Sequence, residues 1–365
     1  MTQDDDARWM RVALTLGRRG QGRVWPNPAV GCVLVKEGRI VGRGWTQPGG
    51  RPHAETEALA QAGPAARGAT AYVTLEPCAH HGVTPPCTEA LIGAGVRRVV
   101  APLADSDPRV SGQGFDRLKR GGVPVTTGVL AHEAAEDHAG FFLKVEQGRP
   151  WVTLKLAVSL DGRIATASGE SRWITGTEAR RSVHALRGRH DAVMVGAGTA
   201  RADDPDLTVR DMGADHQPVR VVVSRRLDLP LMGRLAQSAR AVPVWVCHGP
   251  EADTPAVEAW TGLGARLLAC PVIGGQLDPG GILQALGTAG LTRVLCEGGG
   301  TLAAALLAAD LVDELVVMSA GLALGAEGRP SLGALGIERL AAAPRYRLIE
   351  ARPLGGDVLH RWRRT

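Results

Sequence analysis

Short apolar runs alternate with helical stretches along the whole 365-residue chain. Residues 30–35 and 219–223 have the apolar, β-branched composition that is typical of strands. Residues 53–62 and 178–187 have patterns that are typical of helices. Strands that alternate with helices in this way predict an α/β fold.

The pattern breaks at residues 146–150, and the length suits two domains of roughly 150 residues or more. We therefore predict one domain at residues 1–147 and another at residues 148–365. Residues 346–350 and 357–363 predict an antiparallel hairpin at the C-terminus. No apolar stretch approaches the length of a membrane span, and the acidic start differs from a secretory signal. We expect a cytoplasmic protein that binds no membrane.

The formal net charge is +5, and nearly all of the basic residues are arginines. Arginine binds phosphate and carboxylate groups in a bidentate geometry, which suits phosphorylated small molecules about as well as nucleic acid. The chain has one short basic run, Arg361, Arg363 and Arg364, which we interpret as a solvated tail.

A His-x-Glu motif at His53 and Glu55 precedes two cysteines, Cys78 and Cys87, in a region rich in Pro, His and Gly. One imidazole and two thiolates leave the fourth position of a zinc ion for water, and the metal lowers the pKa of that water to about 7. Glu55 lies two residues from the ligand and can shuttle a proton to the departing nitrogen. The order of these residues is the signature of zinc-dependent deaminases. We expect His53, Cys78 and Cys87 to bind one Zn²⁺ ion and Glu55 to be catalytic.

A structural zinc site, closed by His80 or His81 as a fourth protein ligand, is the alternative for this motif. The remaining cysteines lie inside apolar runs and are expected in the core: Cys32, Cys247, Cys270 and Cys296.

Eight residues separate Cys78 from Cys87, whereas nucleic-acid and free-nucleoside deaminases usually have two. The run Pro-Cys-Ala-His-His-Gly-Val-Thr-Pro-Pro-Cys closely resembles the deaminase half of the bifunctional deaminase/reductases of riboflavin biosynthesis. Asn-Pro-Ala-Val-Gly at residues 27–31 resembles the same family, which implies that Asn27 contacts the pyrimidine edge. From the residues alone, Asn-Pro is also a simple turn. The resemblance implies a cytidine-deaminase-like α/β/α domain.

The second half is similar to the reductase domain of that family, which resembles dihydrofolate reductase, over residues 154–163, 168–175, 198–210 and 297–301. The last of these runs, Glu-Gly-Gly-Gly-Thr, lies between an apolar strand and a helix. Glycines at such a position form a cradle whose backbone N–H groups bind phosphate. Taken alone, a glycine triplet is equally typical of a plain loop.

The resemblance implies which residues bind NADPH in this domain: Ala157, Trp173, Thr199, Asp203, Gly299, Gly300, Thr301, Leu302, Ala303, Ala304 and Ala305. It also implies the residues that contact the phosphorylated pyrimidine: Ser171, Arg187, Leu207, Arg210 and Glu297. Arg187 and Arg210 suit the phosphate, and Lys155 is a further polar contact. Arg187 also stands at a helix end, where it could merely complement the helix dipole.

Ser224, Arg225 and Arg226 follow the strand at residues 219–223, and ligands of α/β sheets collect at the carboxyl ends of strands. A hydroxyl and two guanidinium groups suit the 2′-phosphate that distinguishes NADPH from NADH. We expect Ser224 and one of the two arginines to bind it, with Arg201 as the substitute. A solvated basic turn is the alternative.

These features predict a bifunctional enzyme. Its first domain is expected to remove the 2-amino group of 2,5-diamino-6-ribosylamino-4(3H)-pyrimidinone 5′-phosphate by hydrolysis. Its second domain is expected to reduce the ribosyl group with NADPH, giving 5-amino-6-ribitylaminouracil 5′-phosphate. The family resemblance also implies a homo-oligomer.

The alternatives are a nucleic-acid-editing zinc deaminase with an RNA-binding C-terminal domain and a non-catalytic zinc protein that senses a nucleotide. The long loop between the cysteines and an aromatic content of 4% argue against RNA as a partner.

Overall fold

The structure is a computed structural model that describes residues 3–80, 85–107 and 111–365. It divides into two compact units, Met1–Gly148 and Arg149–Thr365. The predicted boundary, after residue 147, lies one residue before this division.

Strands and helices alternate in the first unit: α1 (Gln3–Gly17), β1 (Gly31–Lys36), β2 (Arg39–Trp45), α2 (Ala54–Ala62), β3 (Thr70–Val73), α3 (Cys87–Gly93), β4 (Arg98–Val100), α4 (Gln113–Arg120), β5 (Val125–Thr126) and α5 (Ala131–Gln147). The strands form one sheet in the order β2-β1-β3-β4-β5. Strand β1 runs antiparallel to both of its neighbours, whereas β3, β4 and β5 are parallel.

Both faces of this sheet are covered, because successive side chains of a strand point to opposite faces. On β1, Cys32 and Leu34 pack into one buried cluster together with Ala58 of α2. Val33 and Val35 pack into a second cluster with residues of α1, including Met10. The predicted α/β/α arrangement is therefore confirmed.

Helix α2 lies directly against β2, where two glycines leave no room for a side chain. A Cβ atom at Gly42 would lie 2.2 Å from the Ala58 carbonyl oxygen, and one at Gly44 would lie 2.3 Å from the Ala54 carbonyl oxygen. Because β2 holds the first turn of α2 so closely, it fixes the position of His53 and Glu55 at the start of that helix.

The second unit contains β6 (Trp151–Ser159), β7 (Arg163–Ala165), α6 (Thr177–Arg187), β8 (Ala192–Gly196), α7 (Ala197–Asp203), β9 (Val219–Val223), α8 (Arg234–Gln237), β10 (Val244–His248), α9 (Thr254–Gly262), β11 (Arg266–Ala269), β12 (Val272–Ile273), β13 (Gln276–Leu277), α10 (Pro279–Thr288), β14 (Arg293–Gly298), α11 (Gly300–Ala308), β15 (Glu314–Ala320), β16 (Arg329–Pro330), β17 (Tyr346–Leu354) and β18 (Asp357–Arg364). Nine strands form one sheet in the order β11-β10-β9-β8-β14-β6-β15-β18-β17.

The strands from β11 to β15 in this order are parallel, and β18 and β17 complete the sheet as an antiparallel hairpin. Buried parallel strands read as continuous apolar runs, which is why the sequence predicts β9 with its observed bounds. The carboxyl ends of β9, β8, β14 and β6 consequently lie along one edge of the sheet. The predicted α/β class and the C-terminal hairpin are confirmed.

The prediction of a solvated basic tail is wrong, because all three of its arginines belong to β18. Arg361 lies 2.6 Å from a carboxylate oxygen of Glu314, and Arg364 lies 3.1 Å from one of Asp313. The predicted hairpin already included Arg361 and Arg363, but composition alone does not reveal carboxylate partners that lie about 50 residues earlier in the chain.

The four cysteines expected in the core, Cys32, Cys247, Cys270 and Cys296, are all buried. Over the described residues, every helix is too short or too polar to cross a bilayer.

Candidate active sites

Three side chains of the first unit converge on one point. His53 is the residue before α2, Cys78 lies in the loop after β3, and Cys87 begins α3. His53 Nδ1 lies 3.7 Å from Cys78 Sγ and 3.3 Å from Cys87 Sγ. The nitrogen and sulfur ligands of a tetrahedral zinc ion lie about 3.6 Å apart. These residues therefore fit a zinc ion with one coordination position left for water.

The eight residues between the cysteines do not prevent this convergence, because the start of α3 binds Cys78 directly. The Cys87 backbone N–H donates to Cys78 Sγ at 3.3 Å. The Thr88 backbone N–H and hydroxyl both donate to the Cys78 carbonyl oxygen, at 3.2 and 3.1 Å. Hydrogen bonds from Cys87, followed by those from His53, lower the pKa of Cys78 to about 4, which favours the thiolate that a zinc ligand requires.

Glu55 lies in the first turn of α2 and is only 4% exposed. Burial raises the pKa of its carboxyl group to about 7, while the His53 side chain opposes this rise. A group that titrates near neutral pH exchanges protons most effectively at that pH. The structure thus places the predicted catalytic residue beside the three candidate ligands, in the environment that a proton shuttle needs.

His80 does not join this group of ligands, and His81 lies outside the described residues. Asn27 lies against a glycine turn, where its Nδ2 donates to the Gly50 carbonyl oxygen at 3.0 Å. A Cβ atom at Gly50 would lie 2.0 Å from that nitrogen. Asn27 is thus held in place by a hydrogen bond that its sequence motif does not reveal.

Sequence reasoning missed Glu76, the residue just before Pro77 and Cys78. Its buried carboxylate accepts hydrogen bonds at 2.8 to 3.1 Å from four backbone N–H groups, those of Asp105, Gly112, Gly114 and Phe115. Glu76 therefore binds the start of α4 to the segment that carries the zinc ligand. A motif of the form Glu-Pro-Cys does not reveal this role, because the partners lie about 30 to 40 residues later.

The second unit contains a cavity of about 1010 Å³. It is lined by all five residues predicted for the pyrimidine, although Leu207 is itself only 3% exposed. Among the predicted cofactor residues, Ala157, Trp173, Thr199 and Asp203 line it, and Lys155 does as well. The structure therefore brings together ten predicted residues that are spread over residues 155–297.

Arg187 and Glu297 form a bidentate ion pair in this cavity. Arg187 Nε and Nη2 donate to the two carboxylate oxygens of Glu297 at 2.5 and 2.9 Å, and Nη1 donates to the Thr208 carbonyl oxygen at 2.8 Å. Burial acts to raise the pKa of Glu297, but the charge and hydrogen bonds of Arg187 outweigh it and lower that pKa. Arg187 therefore holds Glu297 ionised. In turn, the Glu297 carboxylate compensates much of the positive charge of Arg187.

Trp173 is 66% exposed at the same cavity and carries the Arg180 guanidinium 4.6 Å from its ring centroid. A flat aromatic face at the cavity wall suits stacking against a planar ring. Burial lowers the pKa of Lys155, which also lines the cavity, and nearby Glu297 opposes this change.

The predicted glycine cradle lies between β14 and α11, and Gly298 and Gly299 have φ values of 103° and 82°. The backbone N–H of Ala303 already donates to the Gly299 carbonyl oxygen at 3.0 Å. The first N–H groups of a helix lack partners within the helix, so the groups at residues 300–302 are the ones available to an anion. The side chains of Leu302, Ala303 and Ala304 are buried, whereas Thr301 is exposed.

Ser224 does not line the cavity, and the structure leaves it only 2% exposed. Its hydroxyl donates to Asp228 Oδ1 at 2.8 Å. Arg225 lies 3.3 Å from Glu251, and Arg201 lies 2.7 Å from Asp228. Ser224, Arg225 and Arg201 are thus already paired with carboxylates. Arg226, the other arginine expected at the 2′-phosphate, is exposed.

Two family models match this chain. Residues 3–103 match the cytidine and deoxycytidylate deaminase zinc-binding region, and residues 150–360 match the RibD C-terminal domain. The RibD riboflavin biosynthesis protein of Escherichia coli is 43% identical over 363 residues, which cover 97% of this chain and 98% of the relative. That of Aquifex aeolicus is 39% identical over 98% of both chains.

Solved structures agree over the full length. RibD of Acinetobacter baumannii has a TM-score of 0.89 at 40% identity, with 100% of both chains covered. A diaminohydroxyphosphoribosylaminopyrimidine deaminase/5-amino-6-(5-phosphoribosylamino)uracil reductase of Thermotoga maritima has a TM-score of 0.88 at 33% identity, again with 100% of both chains covered. Because both units and nearly the whole length match, this chain belongs to the RibD family of bifunctional riboflavin-biosynthesis enzymes, which join a zinc-binding deaminase domain to a dihydrofolate-reductase-like reductase domain.

Proposed function

We propose that the two units of this bifunctional enzyme catalyse two successive steps on one phosphorylated pyrimidine. Residues 1–147 replace the 2-amino group of 2,5-diamino-6-ribosylamino-4(3H)-pyrimidinone 5′-phosphate with oxygen, consuming water and releasing ammonia. Residues 148–365 then transfer a hydride from NADPH to C1′ of the ribosyl group, which with one proton gives the ribityl product. The Thermotoga maritima relative is named for the same pair of activities, a deaminase and a reductase.

In the deaminase unit, His53, Cys78 and Cys87 would hold the zinc ion. When bound, zinc supplies a water molecule that is deprotonated at neutral pH. Glu55 takes up a proton in its carboxyl group and delivers it to the departing amino nitrogen. Its burial supports this role, because a carboxyl with a pKa of about 7 both accepts and donates protons near neutral pH. Asn27, fixed by Gly50, contacts the pyrimidine edge.

In the reductase unit, the cavity holds the ribosylaminopyrimidine beside the nicotinamide ring. Ser171 and Arg210 bind polar groups of the substrate, and the Arg187–Glu297 pair presents an oriented carboxylate to it. Ala157, Trp173, Thr199 and Asp203 would contact the cofactor. The backbone N–H groups of residues 300–302, at the start of α11, would bind its pyrophosphate, as helix N-termini do for anions.

We further propose that the enzyme works in the cytoplasm as a homo-oligomer. The candidate zinc ligands support a reducing compartment, because Cys78 and Cys87 are free thiols that an oxidising compartment would tend to join.

The observation that carries this proposal is the convergence of His53, Cys78 and Cys87 beside buried Glu55, in a chain whose second unit has a separate cavity. The test is to incubate the full chain with the diaminopyrimidine phosphate, with and without NADPH. We expect ammonia release in both cases and cofactor oxidation only when substrate has been deaminated. Ammonia release without any later NADPH oxidation would contradict the reductase assignment, and no ammonia release would contradict the deaminase assignment.

A further inference from the structure

One face of α6 lines the cavity of the second unit. Its members are Thr177, Arg180, His184 and Arg187, since residues three or four positions apart on a helix are neighbours on one face. The family resemblance gives Arg187 a role, and the guanidinium of Arg180 is held over Trp173. His184 lies between these two arginines, at the cavity wall, and has no role in the proposed function.

The two nitrogens of the His184 ring have different surroundings. The Arg210 backbone N–H donates to Nδ1 at 3.1 Å. The Thr208 carbonyl oxygen lies 3.2 Å from the same nitrogen, but this oxygen already accepts Arg187 Nη1 at 2.8 Å. A nitrogen that accepts a hydrogen bond carries no proton, so the neutral ring carries its proton on Nε2. Burial, followed by the charges of Arg187 and Arg210, lowers the pKa of His184, which favours the neutral ring.

The Nε2–H group of His184 is a donor that no acceptor uses within the part of the chain that the structure describes. This nitrogen is accessible rather than enclosed. The neighbouring guanidinium groups differ, because Arg187 is paired with Glu297. Arg210 Nη1 likewise donates to Asp206 Oδ2 at 2.8 Å. A ligand that enters this part of the cavity must share the two arginines with carboxylates, whereas it meets the imidazole N–H unpaired.

The groups that meet here suit a phosphate. Guanidinium groups bind phosphate oxygens in charge-assisted hydrogen bonds, and an imidazole N–H adds one more donor. The substrate carries one phosphate, at C5′ of its ribosyl group. We propose that His184 is a further substrate-binding residue of the reductase unit, whose Nε2–H donates a hydrogen bond to this phosphate. The inference rests on the proposed reductase function. The alternative is that His184 only holds Arg210 in place through Nδ1.

Two amide substitutions separate these roles, because each role uses a different nitrogen of the ring. In His184→Gln the amide nitrogen reaches the position of Nε2, so the donor remains and the acceptor at Nδ1 is lost. In His184→Asn the amide oxygen takes the position of Nδ1, so the acceptor for Arg210 remains and the donor is lost.

A hydrogen bond to a charged group changes affinity by about tenfold or more. His184→Asn should therefore raise the KM for the deaminated substrate about tenfold, and His184→Gln should stay within about threefold of wild type. The kcat of both variants should change less than about twofold, because the phosphate is bound equally before and during hydride transfer to C1′. The reverse order, with a normal KM in His184→Asn and a raised KM in His184→Gln, would establish the alternative and overturn the inference.

The deaminated substrate without its 5′-phosphate tests which group His184 binds. On this substrate, wild type and His184→Asn should have values of kcat/KM within about twofold of each other, because the acceptor of the Nε2–H is missing. An equal loss on both substrates would show that His184 does not bind the phosphate.

His248→Asn is the matched control. His248 Nδ1 also lies near a backbone group, the Gly249 carbonyl oxygen at 2.8 Å, but this histidine does not line the cavity. The control should leave the KM for the phosphorylated substrate within about twofold of wild type. A tenfold rise in the control would show that the effect is not specific to His184.

Calorimetric titration with the reduced product, 5-amino-6-ribitylaminouracil 5′-phosphate, measures the same contact without turnover. His184→Asn should bind it about tenfold more weakly than wild type, and His184→Gln within about threefold. Equal affinities of wild type and His184→Asn would overturn the inference. A wild-type enzyme that does not oxidise NADPH with the deaminated substrate would overturn the reductase function, and the titration would still decide the role of His184.

Discussion

At the residue scale, the environment of Glu55 decides its chemistry. An exposed glutamate is fully ionised at neutral pH and holds no proton to deliver. Glu55 is buried beside His53 and Cys87, and burial raises the pKa of its carboxyl group to about 7. The same residue type therefore acquires a new property from its location at the first turn of α2.

We expect Glu55→Gln to retain zinc and to lose deamination by about 100-fold or more, because the amide cannot shuttle a proton. Reductase activity on deaminated substrate should be unchanged. The measurements are zinc content, ammonia release and NADPH oxidation on one preparation. Glu57→Gln, in the same turn of α2, is the control and should retain both activities. Wild-type ammonia release from zinc-loaded Glu55→Gln would contradict the role of Glu55.

Cys87 and Cys32 of the first unit lie in different environments, so the same substitution should affect zinc content at only one of them. Cys87 contacts His53 Nδ1 at 3.3 Å, whereas Cys32 lies in the apolar core, where burial raises the pKa of its thiol. Cys87→Ser should lower the zinc content toward zero, because it removes one of three protein ligands. Cys32→Ser should leave the zinc content unchanged. Full zinc content in Cys87→Ser, measured by elemental analysis, would instead implicate His80 or His81.

At the element scale, Glu76 joins the zinc loop to α4. Its carboxylate accepts four backbone N–H groups, and the start of α4 packs so closely that a Cβ atom at Gly114 would lie 2.1 Å from the Pro77 carbonyl oxygen. Helix α4 is thus fixed by a side chain from another part of the chain rather than by a cap of its own, since the residue before it is Gly112.

Glu76→Ala should destabilise the deaminase unit by about 3 kcal/mol or more, because each buried N–H left without a partner costs about 1–3 kcal/mol. Glu76→Gln should lose less, since its amide oxygen still accepts some of these hydrogen bonds. Denaturant unfolding of the deaminase unit in the full chain measures the difference. Equal stability of Glu76→Ala and wild type would show that the loop finds other partners.

At the scale of the whole molecule, the two chemistries belong to separate units. Within the described residues, the one group of His, Cys, Asp and Glu side chains that could hold a metal ion lies in the first unit. The residues that line the reductase cavity all lie in the second unit. Each unit has its own sheet and its own buried clusters.

A zinc chelator should therefore abolish ammonia release and leave the reduction of deaminated substrate unchanged. Adding back zinc should restore ammonia release, because ligands held by α2 and α3 can bind the metal again. The two rates are measured in parallel on the treated full chain. Loss of NADPH oxidation at the same chelator concentration would show that the reductase unit also depends on a metal.

The sequence by itself determined the fold class and the chemistry, because both depend on local patterns. Apolar runs such as residues 219–223 predict strands, and the spacing of His53, Glu55 and the Pro-Cys motif is specific to one kind of metal site. Through the family resemblance, the sequence also predicted ten residues of the reductase cavity. Their contacts with substrate and cofactor stay predictions.

Only the tertiary structure decided which charges compensate one another, because such pairs form between distant parts of the chain. Arg187 and Glu297 are 110 residues apart in sequence, yet they form a bidentate pair. Glu76 and the start of α4 meet across about 40 residues. The basic residues of β18 could be read as solvated because the carboxylates that compensate them, Glu314 and Asp313, lie about 50 residues earlier. Asp228, which follows β9, compensates Arg201, which lies in α7 after β8, only because these two strands are neighbours in the sheet.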